Sequence, residues 1–183
     1  MTASSLAHAD IAVLGAGSWG TALAIQFARA GRPARLWGRD RSHVQAMQRE
    51  RSNARYLPDV GFPDGLHLLD SLAAAVDGVN DVLLAVPSHA FRSLLDQLKP
   101  MLPASIRLCW ATKGFELETG RLPNQVAHEV LGPGRSVAVL SGPTFAAEVG
   151  RGLPTAMTIA SPDVDYAEKL ARDLSSSSFR AYT

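Results

Sequence analysis

Between Ile11 and the end of the chain, short apolar runs alternate with longer stretches whose apolar positions recur every three to four residues. The first pattern belongs to strands buried on both faces and the second to helices with one apolar side. Ile11-Ala12-Val13-Leu14 predicts a buried strand, and Thr21 to Ala30 a helix with Leu23, Phe27 and Ala30 on one side, stopped by Gly31. Ala34 to Trp37 fits a second strand and Ser42 to Arg51 a polar helix. From Arg55 to Gly65 the breakers Pro58, Gly61, Pro63 and Gly65 predict a loop, either a lid or a plain connection. Val82 to Val86, an unbroken apolar run between Asn80-Asp81 and Pro87-Ser88, reads as an interior strand. Ser88 suits the N-cap of the next helix, whose apolar face carries Phe91, Leu94, Leu95 and Leu98 and which ends before Pro100. Further strands fit Ile106–Ala111, Val137–Leu140, Thr155–Ala160 and Phe179–Tyr182, with helices around Leu122–Leu131 and Val164–Leu174. This alternation is that of an α/β protein with a mostly parallel sheet.

A length of 183 residues fits one globular unit. Residues 1–9 are expected to form a flexible extension and residues 10–183 the folded domain. Eighteen Lys and Arg against 17 Asp and Glu give a net charge of +1, which excludes a broad basic field and, with it, nucleic acid as the default partner. The one cysteine, Cys109, cannot form an internal disulfide, and the chain shows neither a long apolar span nor the layout of a signal peptide. A cytoplasmic location without a membrane span is therefore expected. His8, His43, His67, His89 and His128 lack the spacing of metal ligands, so no metal is expected, and His89 fits a helix start better than a general acid. Trp37 and Trp110, on strands, read as core residues. The chain stops at Thr183 directly after a predicted strand, which reads as the end of a fragment.

Candidate chemistry enters with Gly15-Ala16-Gly17-Ser18-Trp19-Gly20, a G-x-G-x-x-G run between a strand and an alanine-rich helix. In that context Gly15 allows the tight turn, Gly17 lets the backbone approach a pyrophosphate, and Gly20 lets the helix pack on the strand. Free N–H groups at the helix start, with the positive end of its dipole, hold the phosphates. Trp19 is placed to pack over a bound dinucleotide. About 20 residues further on, where NAD sites carry an acid, stand Arg39 and Asp40. A guanidinium at Arg39 suits the 2′-phosphate of NADPH, the preferred cofactor, while Asp40 leaves NADH open; a solvated charge is the plain alternative for Arg39.

Three separated blocks, Gly15 to Ala24, Ala111-Thr112-Lys113-Gly114 and Ser141-Gly142-Pro143-Thr144-Phe145-Ala146-Ala147-Glu148-Val149, resemble in order and spacing the bacterial NAD(P)-dependent glycerol-3-phosphate dehydrogenases. The resemblance implies a Rossmann-type, doubly wound domain with helices on both faces. It also implies a cytoplasmic oxidoreductase that interconverts dihydroxyacetone phosphate and sn-glycerol 3-phosphate for phospholipid synthesis. Carried over by position, Gly15, Gly17, Ser18, Trp19, Gly20, Arg39, Tyr56, Lys113 and Ala146 are cofactor contacts, and Lys113, Gly142 and Thr144 are substrate contacts. Lys113, at a strand end, can attract a phosphate or face a carbonyl oxygen, although a surface lysine is the simpler reading. Gly142 can let the main chain approach a ligand, and Thr144 can donate a hydrogen bond, cap a short helix, or both.

In the family the proton is exchanged by a lysine of a C-terminal helical domain, expected beyond Thr183, so no catalytic residue is assigned within this chain and the chain alone is expected to be nearly inactive. A homodimer stays open for the full-length protein. The alternatives are a dehydrogenase of the 6-phosphogluconate or hydroxyacyl-CoA type, and a noncatalytic module that senses dinucleotides.

Overall fold

In the computed structural model, which describes residues 10–183, strand β1 (Ile11–Leu14) is buried on both faces. Ile11 and Val13 enter one core, Ala12 and Leu14 the other. Such a strand needs helices on both sides, and the chain supplies them in turn. After β1 come α1 (Ser18–Arg29), β2 (Ala34–Trp37), α2 (Arg41–Glu50), the short β3 (Ser52–Asn53) and β4 (Leu57–Gly61), β5 (Leu66–Leu69) and α3 (Leu72–Val76). They are followed by β6 (Asp81–Leu84), α4 (Ser88–Leu98), β7 (Arg107–Trp110), α5 (Pro123–Leu131) and β8 (Val137–Ser141). The last elements are α6 (Ala146–Arg151), β9 (Thr155–Ala160), α7 (Val164–Leu174) and β10 (Phe179–Tyr182). The expected extension, residues 1–9, lies outside the described residues. No helix among the described residues is long and apolar enough to cross a membrane.

The main sheet runs in the order β10-β9-β8-β7-β6-β1-β2-β5. Every neighbouring pair is parallel except β8 and β9. One core receives Leu23 and Phe27 of α1, Val44 and Met47 of α2, Val149 of α6 and Leu170 and Leu174 of α7. The other receives Val76 of α3, Phe91, Leu94, Leu95 and Leu98 of α4, and Val126 and Val130 of α5. Trp110 lies edge-on to Phe91 in this second core, with ring centroids 5.9 Å apart. Trp37 is half-buried and donates its indole N–H to the Asp70 carbonyl at 3.2 Å.

Four local expectations are corrected. Arg55 to Gly65 is not a plain loop, because Leu57–Gly61 pairs antiparallel with Ser52–Asn53 and Leu66 already begins β5. Neither β5 nor α3 stands out in the sequence. The latter is too short for a helical period and is held by distant groups. Ser71 caps its start, accepting from Ala74 N at 3.3 Å, and the buried Arg35 donates to the Ala74 and Asp77 carbonyls at 3.1 and 2.5 Å, a cation at the negative end of the helix. Helix α1 starts at Ser18 rather than Thr21, which places Gly20 inside its first turn. β6 ends at Leu84 rather than Val86. Ser88 is the first helical residue of α4, not its cap; Pro87, with φ −57° and ψ 151°, holds the N-cap position through its own ring geometry.

The rim at the start of β6 and β7 is fixed by charge. The Asp81 carboxylate, 2% exposed, accepts from Arg107 Nε at 2.7 Å and Lys169 Nζ at 2.8 Å. Lys169 also pairs with Asp173, which pairs with Arg32, so α7 is tied to both strands and to the turn before β2. Replacing both Arg107 and Lys169 by Met leaves Asp81 buried without a counter-ion, at an expected cost of about 3–5 kcal/mol in urea unfolding. Adding Asp81→Leu to that pair is expected to recover much of the loss; a triple variant no more stable than the double would contradict the account.

Candidate functional site

From β1 the chain winds outward to β2 and β5, then crosses back to β6 on the other side of β1. The order of strands reverses between β1 and β6, and in open α/β sheets the loops beyond such a reversal diverge into a ligand crevice. The glycine loop sits there. Gly15 has φ +122°, and a Cβ on it would lie 2.6 Å from the Ala85 carbonyl oxygen. A Cβ on Gly20 would lie 1.9 Å from the Gly15 oxygen. Both glycines are therefore demanded by the protein's own packing, one loop against another and helix against loop.

Gly17 differs. A Cβ there would meet none of the described residues within 4 Å, and its backbone (φ −78°, ψ −175°) is open to any residue. It is the N-cap of α1, with no side-chain cap and no acid in the first turn. The first helical hydrogen bond runs from Thr21 N to Gly17 O at 3.0 Å, which leaves the N–H groups of Ser18, Trp19 and Gly20 without helical partners. Empty space beside unpaired donors at a helix start suits an anionic phosphate bridge. Ser18 is exposed on this side. The Trp19 side chain, partly buried, packs against the core shared with α6, and its Nε1 is buried with no acceptor among the described residues. Its main-chain N–H is one of the three without a helical partner.

Gly38 joins the end of β2 to this loop, since a Cβ there would lie 2.9 Å from Val44 Cγ2 and 3.0 Å from Ala16 Cβ. Beyond it Arg39 is exposed and makes no ion pair among the described residues. Asp40 is occupied: it caps α2, its Oδ1 accepting from Ser42 Oγ at 2.7 Å and His43 N at 3.1 Å, and these bonds hold its carboxyl below the usual carboxylate range. Arg55 lies 3.8 Å from Asp40 Oδ2 and stacks on Tyr56 at 4.9 Å from the ring centroid. His43 meets the Tyr56 ring edge-on at 5.4 Å. Arg39, Arg55 and the half-exposed Tyr56 thus flank the turn around Asp40.

Across the reversal, the loop after β7 carries Lys113. Buried Thr112 donates to the Val86 carbonyl at 2.8 Å, and Gly114 turns with φ +91°. Lys113, exposed between them, makes no ion pair among the described residues. The rest of this loop is clamped by Arg92, which binds Glu116 at 2.6 and 3.0 Å and Glu129 at 3.0 Å. The Arg92 guanidinium, then the Thr119 hydroxyl, depress the Glu116 carboxyl to about 2.

After β8, one expectation changes. The side of Gly142 that lacks a Cβ faces β9, where a Cβ would lie 3.2 Å from the Ala156 carbonyl oxygen and 3.3 Å from Met157 Cα, so close strand packing also favours a glycine at this position. Thr144 is not a helix cap: Phe145 holds that place on α6, and Thr144 Oγ1 is buried without a partner among the described residues. Ala146 opens α6 and packs against the same core as Trp19. Because β1, β2, β7 and β8 are parallel, every expected site residue that follows one of them lies at the same edge of the sheet. Tyr56 arrives there through the β3–β4 hairpin.

One residue of the site has no sequence signal. Asn53, fully buried, donates from Nδ2 to the Ala16 carbonyl at 3.1 Å and to Thr21 Oγ1 at 2.8 Å. An asparagine within the polar stretch Ser52 to Arg55 reads as a turn residue, and only the folded hairpin reveals its reach.

A parallel sheet whose order reverses beside a glycine loop with unpaired helix amides defines the class of Rossmann-type dinucleotide-binding proteins. Residues 10–167 match the sequence profile described as NAD-dependent glycerol-3-phosphate dehydrogenase N-terminus, and the chain belongs to that family. It is 53% identical over 176 residues to the glycerol-3-phosphate dehydrogenase (NAD(P)+) of Yersinia pestis, covering 96% of this chain and 52% of that protein. Among solved structures, a glycerol-3-phosphate dehydrogenase from Coxiella burnetii superposes with a TM-score of 0.90 at 44% identity, over 94% of this chain and 52% of that one. The yeast glycerol-3-phosphate dehydrogenase, 24% identical over 96% of this chain and 56% of its own, shares the fold with a TM-score of 0.83. The chain spans about half the length of these relatives.

The two inner glycines are expected to respond in opposite ways. Gly17→Ala fits open space and should change the urea midpoint by no more than about 0.5 kcal/mol equivalent, whereas Gly20→Ala drives a Cβ into the Gly15 carbonyl and should unfold or strongly destabilise the protein. Equal losses in both would refute the packing assignment. The Glu116 clamp makes a pH-dependent contribution. Its folded value lies below the ordinary 4.5, so the contribution is complete above about 4.5 and lost as pH falls through about 2. The stability advantage of the parent over Glu116→Gln should be largest near pH 7 and vanish toward pH 2 in urea titrations.

Proposed function

We propose that this chain is the cofactor-binding portion of a cytoplasmic enzyme that interconverts dihydroxyacetone phosphate and sn-glycerol 3-phosphate using NADPH in preference to NADH. The observation that carries the reading is the open side of Gly17 beside the unpaired amides of Ser18, Trp19 and Gly20, in a chain of this family. Those amides bind the diphosphate bridge. Arg39, which makes no ion pair among the described residues, takes the 2′-phosphate, and Asp40 spends its Oδ1 on the cap of α2 rather than on a ribose diol. Tyr56, stacked under Arg55, flanks the same end.

The dinucleotide, when bound, supplies or accepts the hydride. The chain's own residues bind and orient the reactants. Lys113, held between an anchored Thr112 and a glycine turn, attracts the substrate phosphate or steadies the carbonyl oxygen as it gains negative charge. Thr144 brings a hydroxyl with no partner among the described residues, Gly142 offers its main chain to the substrate, and Ala146 closes the cofactor side at the start of α6. The lysine that exchanges the proton belongs outside this chain.

The test is steady-state oxidation of NADPH and NADH by the full-length protein with dihydroxyacetone phosphate. Arg39→Ala is expected to weaken NADPH about tenfold or more, the worth of a charged hydrogen bond, and to leave NADH nearly unchanged. Lys113→Ala is expected to lower kcat/KM about a hundredfold or more. Variants indistinguishable from the parent would overturn both assignments.

A further inference from the structure

We propose that Asn53 is a positioning residue for the dinucleotide site: its buried carboxamide locks the glycine loop, the first turn of α1 and the Tyr56 turn into one unit and thereby sets cofactor affinity. This role rests on the cofactor reading given under the proposed function.

A carboxamide has two N–H donors and one carbonyl acceptor. In Asn53 all are engaged. The two donors of Nδ2 go to Ala16 O at 3.1 Å and Thr21 Oγ1 at 2.8 Å, while Oδ1 accepts from Tyr56 N at 3.3 Å. Ala16 stands between Gly15 and Gly17, and Thr21 is the residue whose N–H closes the first bond of α1 onto Gly17. Tyr56 N also reaches the Asn53 main-chain carbonyl at 3.2 Å, so the turn that presents the tyrosine is built on Asn53 itself. The hairpin is further wedged by Leu57, which pairs with Asn53 and whose Cδ2 would lie 2.9 Å from a Cβ on Gly150 of α6.

The glycine loop depends on this amide because it has few other restraints. Among the described residues no other side chain hydrogen-bonds to residues 15–17. Gly15 and Gly20 limit how close the loop can come to its neighbours, and the Thr21 N–Gly17 O bond holds the peptide that carries the Ser18 N–H. The donor on the Ala16 carbonyl fixes the preceding peptide plane, that of Ala16 and Gly17, through which the loop enters α1. Fixing that plane before binding lowers the ordering cost of binding. Aspartate has the same shape but no donors, and would set a carboxylate oxygen against the Ala16 carbonyl. Alanine would leave the buried Thr21 hydroxyl and Ala16 oxygen unpaired. The same amide thus serves the diphosphate end and the Tyr56 end together.

The experiment compares full-length parent, Asn53→Ala and Thr21→Val, each at a temperature where circular dichroism shows the folded signal, with NADPH and NADH as probes in fluorescence titrations and steady-state kinetics. Asn53→Ala is expected to raise Kd for both coenzymes by about tenfold, the same factor for each. KM for NADPH should rise in step, while kcat at saturating NADPH and KM for dihydroxyacetone phosphate change far less. Thr21→Val, which removes one of the two donor partners, should move Kd in the same direction by a smaller factor. A folded Asn53→Ala with the Kd of the parent overturns the proposal, as does a loss confined to NADPH, which would place Asn53 with Arg39. If Asn53→Ala does not fold, Thr21→Val decides: an unchanged Kd overturns the proposal and a raised one supports it. A parent that binds neither coenzyme at millimolar concentration overturns the cofactor reading, and this inference with it.

Discussion

Everything at the candidate site follows from how closely two backbones approach where the sheet reverses. The end of β1 must turn away from β6 while touching it, and a Cβ on Gly15 would lie 2.6 Å from the Ala85 oxygen. Helix α1 must then begin almost on top of that turn, with a Cβ on Gly20 only 1.9 Å from the Gly15 oxygen. Only residues without side chains allow both. The result is a helix whose first amides face outward at the rim of a parallel sheet, unpaired and beside an empty space. The chemistry proposed for Arg39, Lys113 and Thr144 is organised around that point, because parallel strands deliver their following loops to one edge.

The sheet separates the two kinds of polar group in the molecule. At the edge where β6 and β7 begin, charges are satisfied within the protein: Asp81, Arg107, Lys169, Asp173 and Arg32 form a continuous chain. At the opposite edge, several polar groups are left over among the described residues, namely the amides of the α1 start, the Thr144 hydroxyl and the ammonium of Lys113. Groups that finish their bonds internally hold a fold together, and groups that do not are available to a ligand.

Much of this was legible in the sequence where a pattern repeats along the chain. The apolar runs at Ile11, Val82 and Ile106 and the helical face of Phe91, Leu94, Leu95 and Leu98 mark the strands and helices of the interior because burial there depends on local spacing. The glycine loop was equally plain, since tight turns permit few residues. What escaped was anything held from far away. Helix α3 depends on Arg35, and the hairpin of β3 and β4 depends on Asn53 reaching back to Ala16. Ser88 and Thr144 resemble caps, yet Pro87 and Phe145 hold those positions, because cap identity depends on the path of the chain into the helix. The close approach of β9 to Gly142 is likewise invisible in the sequence, because no local pattern reveals that β9 returns antiparallel beside it.

The engagement of Asp40 bears on how this protein could be redesigned. Its carboxylate is committed to the start of α2, where loss of such a cap costs about 1 kcal/mol of helix stability. On the proposed assignment of Arg39 to the 2′-phosphate, deleting that guanidinium subtracts a contact without freeing an acid to replace it. On the same assignment, a version redesigned for the other coenzyme needs a new carboxylate at position 39 itself, leaving Asp40 to keep its helix wound.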